Sequence, residues 1–337
     1  MPDDGNQYSP TLVTGASGFI GRRLIQTLLQ MNRQVIAFSR RPEALSDLKN
    51  PVLQIYQVDL EDPGSYVPYL EKEVTIFHLA AVRSRPGSPP ELFRKVNEMA
   101  SLKLARASVQ VAVRKFVYVS SAVVFGPSFG SPVSEAGGLS EGMMGDCYIA
   151  SRVRSLRAMQ GVMVNEGLPL VTLCPTIVFG PDHPSSPNKI TSHIRRIVRS
   201  GRDVVVAGGV QKRNLVFVDD VIRGMLLAEK LGNYGEIFIL GGEDISHRAF
   251  DEMILTLSGR KPPMCLSIPP WLARTSTRWL DRLLNHERCS GYESAVKVLT
   301  AGWQYSSQKA ARVLGYEWNP IRSGLLKTIS FIKGEVQ

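Results

Sequence analysis

Thr14-Gly15-Ala16-Ser17-Gly18-Phe19-Ile20-Gly21 is the stretch on which the reading of this sequence turns. Its glycines follow a short apolar run, Thr11–Thr14, and precede Leu24, Ile25, Leu28 and Leu29 at helical spacing. A strand, a glycine turn and a helix in that order form a cradle for a pyrophosphate. Gly15 allows the tight turn, Gly18 lets backbone N–H groups approach the phosphates, and Gly21 lets the helix pack close to the strand. The helix start adds open donors and a partial positive charge. Gly15, Ser17, Gly18, Phe19, Ile20 and Gly21 are therefore the expected pyrophosphate-binding residues.

Working outward, further strands are predicted at Gln34–Ser39, Val52–Val58, Val74–Ala81, Lys115–Ser121, Leu168–Thr176 and Glu236–Leu240. Helical stretches separate them, notably Glu91–Val111 and the one after Tyr148. Alternation at the length of βαβ units predicts an α/β fold, a Rossmann doubly wound parallel sheet. Pro181–Asn188 reads as a loop, Lys189–Ser200 as a basic amphipathic helix, and the chain from Ser246 onward as mostly helical, broken by Pro262, Pro263, Pro269 and Pro270. The expected organisation is a dinucleotide-binding domain over 1–180, rejoined by 215–245. A smaller, mostly helical C-terminal substrate domain would comprise 181–214 and 246–337, capping the open end of the sheet.

Composition narrows the class. Hydrophobic residues make up 44% of the 337 and charged residues 21%, ordinary for a chain with a large core. The net charge is +10, but Lys and Arg are scattered, so no nucleic-acid partner is expected and anionic small molecules remain candidates. Cys147, Cys174, Cys265 and Cys289 form no CxxC pair and the five histidines lie far apart, so no metal site is expected and the thiols read as reduced. With no signal peptide and no apolar run of spanning length, the expectation is a cytoplasmic protein without an integral membrane segment.

The second strand ends Phe38-Ser39-Arg40-Arg41. An NAD site usually places Asp or Glu here for the adenosine ribose; a guanidinium instead pairs with a 2′-phosphate. Ser39, Arg40 and Arg41 therefore favour NADP(H), with NAD possible as the alternative cofactor.

In order along the chain, several motifs resemble the extended short-chain dehydrogenase/reductases. They are the glycine loop, Val58-Asp59-Leu60, Phe77-His78-Leu79-Ala80-Ala81, Asn97, and Tyr118-Val119-Ser120-Ser121-Ala122-Val123-Val124-Phe125-Gly126. Tyr148, Pro175-Thr176-Ile177-Val178-Phe179-Gly180-Pro181, Val218-Asp219-Asp220-Val221, and Lys309-Ala310 with Leu314-Gly315-Tyr316 complete the series. The resemblance spans about Thr11 to Ile332. It implies that Asp59 and Leu60 lie beside the adenine, Ala80 and Ala81 under the cofactor backbone, and Pro175 and Ile177 on the nicotinamide side. Asn97 and Val119 join the implied cofactor-binding set. Asp219 reads as a helix cap and His78 as a packed strand residue. The resemblance also implies a homodimer, through Glu91–Val111 and the helix of Tyr148.

In that family a Ser or Thr orients the substrate oxygen, a Tyr exchanges its proton, and a Lys binds the nicotinamide ribose while lowering the Tyr pKa from about 10. Ser121 and Tyr148 match. Four residues after Tyr148 stands Arg152, on the same helix face but planar and forked rather than a point charge. Arg152 either substitutes for lysine, tunes a different chemistry, or marks an impaired enzyme. A YxxxK string at Tyr305-Ser306-Ser307-Gln308-Lys309 lies far beyond the cofactor strands and reads as coincidence.

Ala122, Val123 and Val124 after Ser121 offer no carboxylate for elimination, which argues against the sugar dehydratases of the family. The Ser39-Arg40-Arg41 pattern favours net reduction over cofactor recycling. The sequence thus points to an NADPH-dependent carbonyl reductase of a ring ketone or similar apolar small molecule. The alternatives are a nucleotide-sugar epimerase or reductase, for which Arg213 would meet a diphosphate, and an impaired NADP(H)-binding regulator. The apolar Ile268–Leu284 segment, with Trp271 and Trp279, reads as core packing, a pocket wall or a membrane-touching surface.

Overall fold

The computed structural model describes residues 10–83, 87–140, 146–201, 204–206, 209–260, 266–268, 270–283, 292, 296, 298 and 300–334. Pro262, Pro263, Pro269, Cys265 and Cys289 lie outside the described residues.

The central sheet is built from seven strands: β1 (Thr11–Thr14), β2 (Val35–Ser39), β3 (Leu53–Gln57), β4 (Thr75–His78), β5 (Lys115–Val119), β6 (Leu170–Pro175) and β10 (Ile237–Leu240). They pair in parallel in the order β10-β6-β5-β4-β1-β2-β3. This is the α/β, doubly wound Rossmann sheet that the alternation predicts.

Both faces of the sheet are covered, so its strands read as continuous apolar runs. Successive residues part to opposite sides. Leu12, Ile36, Ile76, Phe116 and Leu170 join the cluster under α3 (Ser101–Gln110) and α4 (Cys147–Glu166). Val13, Ala37, Phe77, Val117 and Val171 join the cluster under α1 (Phe19–Gln30) and α6 (Val218–Leu231). α1 and α6 are clamped by a bidentate Arg23–Asp219 pair at 2.6 and 3.0 Å, and buried Arg33 in the turn after α1 pairs with Glu229 of α6. Asp219 is thus structural, but it is no cap: it sits in the first turn of α6, where a carboxylate also suits the positive end of the helix dipole.

α2 (Pro90–Phe93) reaches α3 through a π-helical stretch, Arg94–Ala100. α5 (Lys189–Ser200) has the predicted bounds and is capped by Asn188, whose side chain accepts from Ile190 and Thr191 N–H. Together with α7 (His247–Ser258) and α10 (Ile321–Gly334) it closes a third apolar cluster. α8 (Pro270–Leu283) and α9 (Gln308–Leu314) lie between α7 and α10 in the chain.

Two features depart from the sequence reading. A second sheet, β11-β9-β7, is made by β7 (Ile177–Phe179), β9 (Lys212–Phe217) and β11 (Glu243–Ser246), and β8 (Val204–Val206) pairs with β12 (Leu266–Ile268). In the Ile268–Leu284 segment, core packing is corrected at Trp271, Trp279 and Leu283, which are 68%, 66% and 62% exposed. No helix among the described residues is long and apolar enough to cross a membrane.

Candidate active site

Because the seven strands are parallel, their C-terminal ends open on one edge. The strand order reverses at β1, which lies between β4 and β2, and this leaves a crevice. The turn after β1 fills its mouth. Gly15 takes a left-handed φ of +66°, and a Cβ there would meet the Ala80 backbone N at 2.7 Å. At Gly21 a Cβ would lie 2.3 Å from Gly15 O. Gly18 starts α1 with no side-chain cap and no acidic residue in the first turn, so the N–H groups around Phe19 and Ile20 are open to an anion. These residues fit a dinucleotide pyrophosphate.

Ser39 ends β2 and donates to Ser17 Oγ at 3.0 Å, while Arg41 N–H donates back to Ser39 Oγ at 3.0 Å. Arg40 and Arg41 are exposed. Arg22, buried on α1, pins the following turn through Ala44 O at 3.0 Å and through Asp47. Exposed Asp59 accepts from Glu61 N–H, and Leu60 packs on the adjacent core. Ala80 N–H donates to Thr14 Oγ1, placing Ala80 and Ala81 against the glycine turn.

Asn97 lies in the π-helical stretch and is buried. Its amide donates to Val82 O at 3.1 Å and Ser151 Oγ at 3.0 Å and accepts from Val82 N–H at 2.7 Å. It therefore braces the loop after β4 against α4, a positioning task that the cofactor assignment did not include. His78 is packed, as read: Nδ1 meets Thr14 Oγ1 at 2.7 Å and Nε2 meets Ser101 Oγ at 2.8 Å. Burial first, and the Arg152 charge second, push its pKa down to about 3.

Asp146 caps α4 by accepting from Ile149 N–H, which fixes the start of the helix that carries Tyr148 and Arg152. Ser121 leaves β5 in extended backbone. The Ser121 and Tyr148 side chains are partly exposed and make no side-chain hydrogen bond among the described residues, so both hydroxyls are available to a ligand. Phe93 supports the Tyr148 ring edge-on at 6.4 Å.

Arg152 turns inward. It is buried, donates from Nη2 to Val119 O at 2.5 Å, and stands 5.4 Å from the Tyr118 ring centroid. Its Nε and Nη1 have no hydrogen-bond partner among the described residues. Burial works to lower its pKa, but Tyr118, Tyr148 and Cys174 face it and leave it above the ordinary value. The guanidinium therefore remains charged beneath Tyr148.

The distant YxxxK string turns out to be structural. Tyr305 donates to Gly126 O, and Lys309 to Ile237 O, so that YxxxK string has no shared catalytic face. Arg213 is largely buried; burial lowers its pKa and Asp251 partly restores it.

His193, His247 and Asp251 form the one cluster of possible metal ligands among the described residues. Arg196 donates to His193 Nδ1, which leaves the ring proton on Nε2 for Asp251 at 2.7 Å. This tautomer holds α5 to α7 by hydrogen bonds.

Sequence reasoning missed Asn214, a buried amide at the centre of the second sheet. It accepts from Thr176 Oγ1 and Gly242 N–H and donates to Gly242 O, Asp244 and Tyr305 O. Its place between Arg213 and an apolar run was the only available signal. The expectation of reduced thiols is also corrected. Cys174 is free and buried, but Cys147 is disulfide-bonded, which removes the thiol argument for a cytoplasmic location.

Residues 11–241 match the NAD dependent epimerase/dehydratase family. The chain belongs to that family. It is an NAD(P)-dependent enzyme of the extended short-chain dehydrogenase/reductase type. A 3 beta-hydroxysteroid dehydrogenase/Delta 5→4-isomerase of Mycobacterium tuberculosis is 27% identical over 328 residues, 91% of this chain and 85% of the relative. A UDP-glucose 4-epimerase of Mycolicibacterium smegmatis is 28% identical, over 97% of this chain and 99% of the relative. The crystal structure of gox2253 superimposes with a TM-score of 0.84 at 27% identity, covering 97% of this chain and 98% of that one. These family members span both oxidoreductases and epimerases.

Proposed function

We propose that the protein is an NADPH-dependent carbonyl reductase acting on a ring ketone or similar apolar small molecule. The observation that carries this reading is the end of β2, where Ser39 closes the strand without a carboxylate and exposed Arg40 and Arg41 follow. Two guanidinium groups suit a 2′-phosphate. The turn Gly15–Gly21 holds the pyrophosphate, Leu60 flanks the adenine, and Pro175 and Ile177 border the nicotinamide. A dinucleotide held there would supply the hydride that reduces a carbonyl carbon. Ser121 would donate a hydrogen bond to the carbonyl oxygen, and Tyr148 would give its proton to that oxygen. Arg152 stabilises the resulting phenolate from below, which is the electrostatic half of the role a lysine fills in the family.

The epimerase relative keeps a second reading in view, in which a nucleotide sugar binds and the cofactor is recycled. Arg213 would be the cation that meets the diphosphate in that reading. We further propose that the dimer contact lies on Glu91–Val111 and α4. α4 is joined to α3 by Arg106–Glu166 and to the π-helical stretch before α3 by Arg154–Glu98, and Met99 of that stretch is exposed.

The deciding experiment follows NADPH absorbance against a panel of cyclic ketones, with UDP-sugars as a parallel arm. Oxidation of NADPH in step with ketone loss is expected. Interconversion of UDP-sugars with no net NADPH loss overturns the reading.

A further inference from the structure

The outward face of α8 is not explained by the active site. Trp271, Trp279 and Leu283 are each more than three-fifths exposed. At about 100° per residue, Trp279 and Leu283 lie roughly 80° and 120° around the helix from Trp271, so the three share one face. Arg282 is exposed and falls roughly 20° from Trp271, inside the same sector. The only acid in the helix, Asp281, is buried and accepts from Tyr292 N–H at 2.7 Å. Among the helix's described side chains Arg282 is therefore the exposed charge, and it is positive.

We infer that this face docks on an anionic lipid bilayer surface. Tryptophan combines a large apolar ring with a polar N–H and partitions to the zone between headgroups and acyl chains. An amphipathic helix with tryptophans and leucine on one face and an arginine beside them lies in that interface, drawn in by anionic lipid. α8 spans 14 residues, a length for lying along the surface rather than crossing it. The chain's net charge of +10 acts in the same direction. A second copy of the chain fits the face poorly. A two-fold contact sets each patch against itself and brings Arg282 near its own counterpart. The inference goes beyond the proposed reaction, and binding tests it without any turnover.

The test mixes the full chain with phosphatidylcholine vesicles, with and without phosphatidylglycerol, and measures the fraction that sediments. The variants are Trp271→Ser/Trp279→Ser and, separately, Arg282→Glu; circular dichroism checks their fold. The expected result is partitioning that requires phosphatidylglycerol and weakens as salt rises. It should fall by about tenfold in the double tryptophan variant and several-fold in Arg282→Glu. If the double variant fails to fold, Arg282→Glu and the salt series still decide. Wild-type protein that stays in the supernatant overturns the inference, as does partitioning that neither variant changes. A wild-type dimer that avoids vesicles and becomes monomeric in the double variant assigns the face to a second copy and also overturns it.

Discussion

Arg152 places a full charge in the layer between the sheet and α4, with one carbonyl partner and two donor nitrogens that find none among the described residues. If that charge supports Tyr148, Arg152→Met should slow reduction by about 10- to 100-fold and move the limb of the pH–rate profile that reports Tyr148 to higher pH. Arg152→Lys keeps the charge and should retain activity. A large loss in Arg152→Lys would mean that the forked geometry has its own task, and an unchanged Arg152→Met would remove the residue from the chemistry. His78 makes a separate prediction about pH. Folded, it resists protonation down to about pH 3, whereas the unfolded chain takes up the proton near its ordinary 6.5. Its contribution is fully present above about pH 6.5 and drains as the pH falls toward about 3, by at most about 1.4 kcal/mol per pH unit. Urea titrations at neutral and mildly acidic pH should show this decline, and His78→Gln should flatten it. An equal decline in both proteins would assign the acid sensitivity elsewhere.

The glycine turn and α1 behave as one element, since Gly21 touches Gly15 O where any Cβ would collide. Gly21→Ala should displace α1 from the turn and weaken dinucleotide binding by about tenfold or more, read by isothermal titration. Unchanged affinity would show that the helix start does not hold the phosphates. This element was legible because its physics is local: a buried strand, a turn that excludes side chains, and an amphipathic helix. The same holds for α5, whose apolar positions and Asn188 cap lie within one stretch. The second sheet was not legible. β7 is three residues long, β9 begins with Lys212 and Arg213, and β11 begins with Glu243 and Asp244, so none shows strand periodicity. Their pairing is set by contacts distant in sequence, above all the Asn214 network. Asn214→Ala strips partners from several buried groups and should cost about 3 kcal/mol in urea unfolding. A cost under about 0.5 kcal/mol would show that the network is not what holds this sheet. At the active site Ser121 and Tyr148 were readable from motif order, but the inward turn of Arg152 was not. It depends on Val119 O and Tyr118, which only the packed sheet brings beneath the helix.

At the scale of the whole molecule, cofactor choice should appear as stability. A ligand that binds only the folded chain adds about 2.7 kcal/mol at a hundred times its Kd. At equal concentration NADPH should therefore raise Tm more than NADH, and Ser39→Asp combined with Arg40→Ser should reverse the order. A larger shift with NADH in the unaltered protein would contradict the role given to Arg40 and Arg41. The clamp between α1 and α6 carries a consequence for how the chain is made. α1 is among the first segments to leave the ribosome, but the apolar side chains that cover its layer, Val221, Ile222 and Met225, and the edge strand β10 follow some two hundred residues later. Until then Leu24, Ile25 and Leu28 have only the strands beneath them, the part of the β1–β6 face that α6 will cover stays open, and Arg33 awaits Glu229. The nascent chain must carry an uncovered apolar layer through more than half of its synthesis, which makes it a natural client for a holding chaperone. A chain stopped at Ser200 should accordingly precipitate, and supplying 201–337 as a separate polypeptide during its synthesis should rescue it.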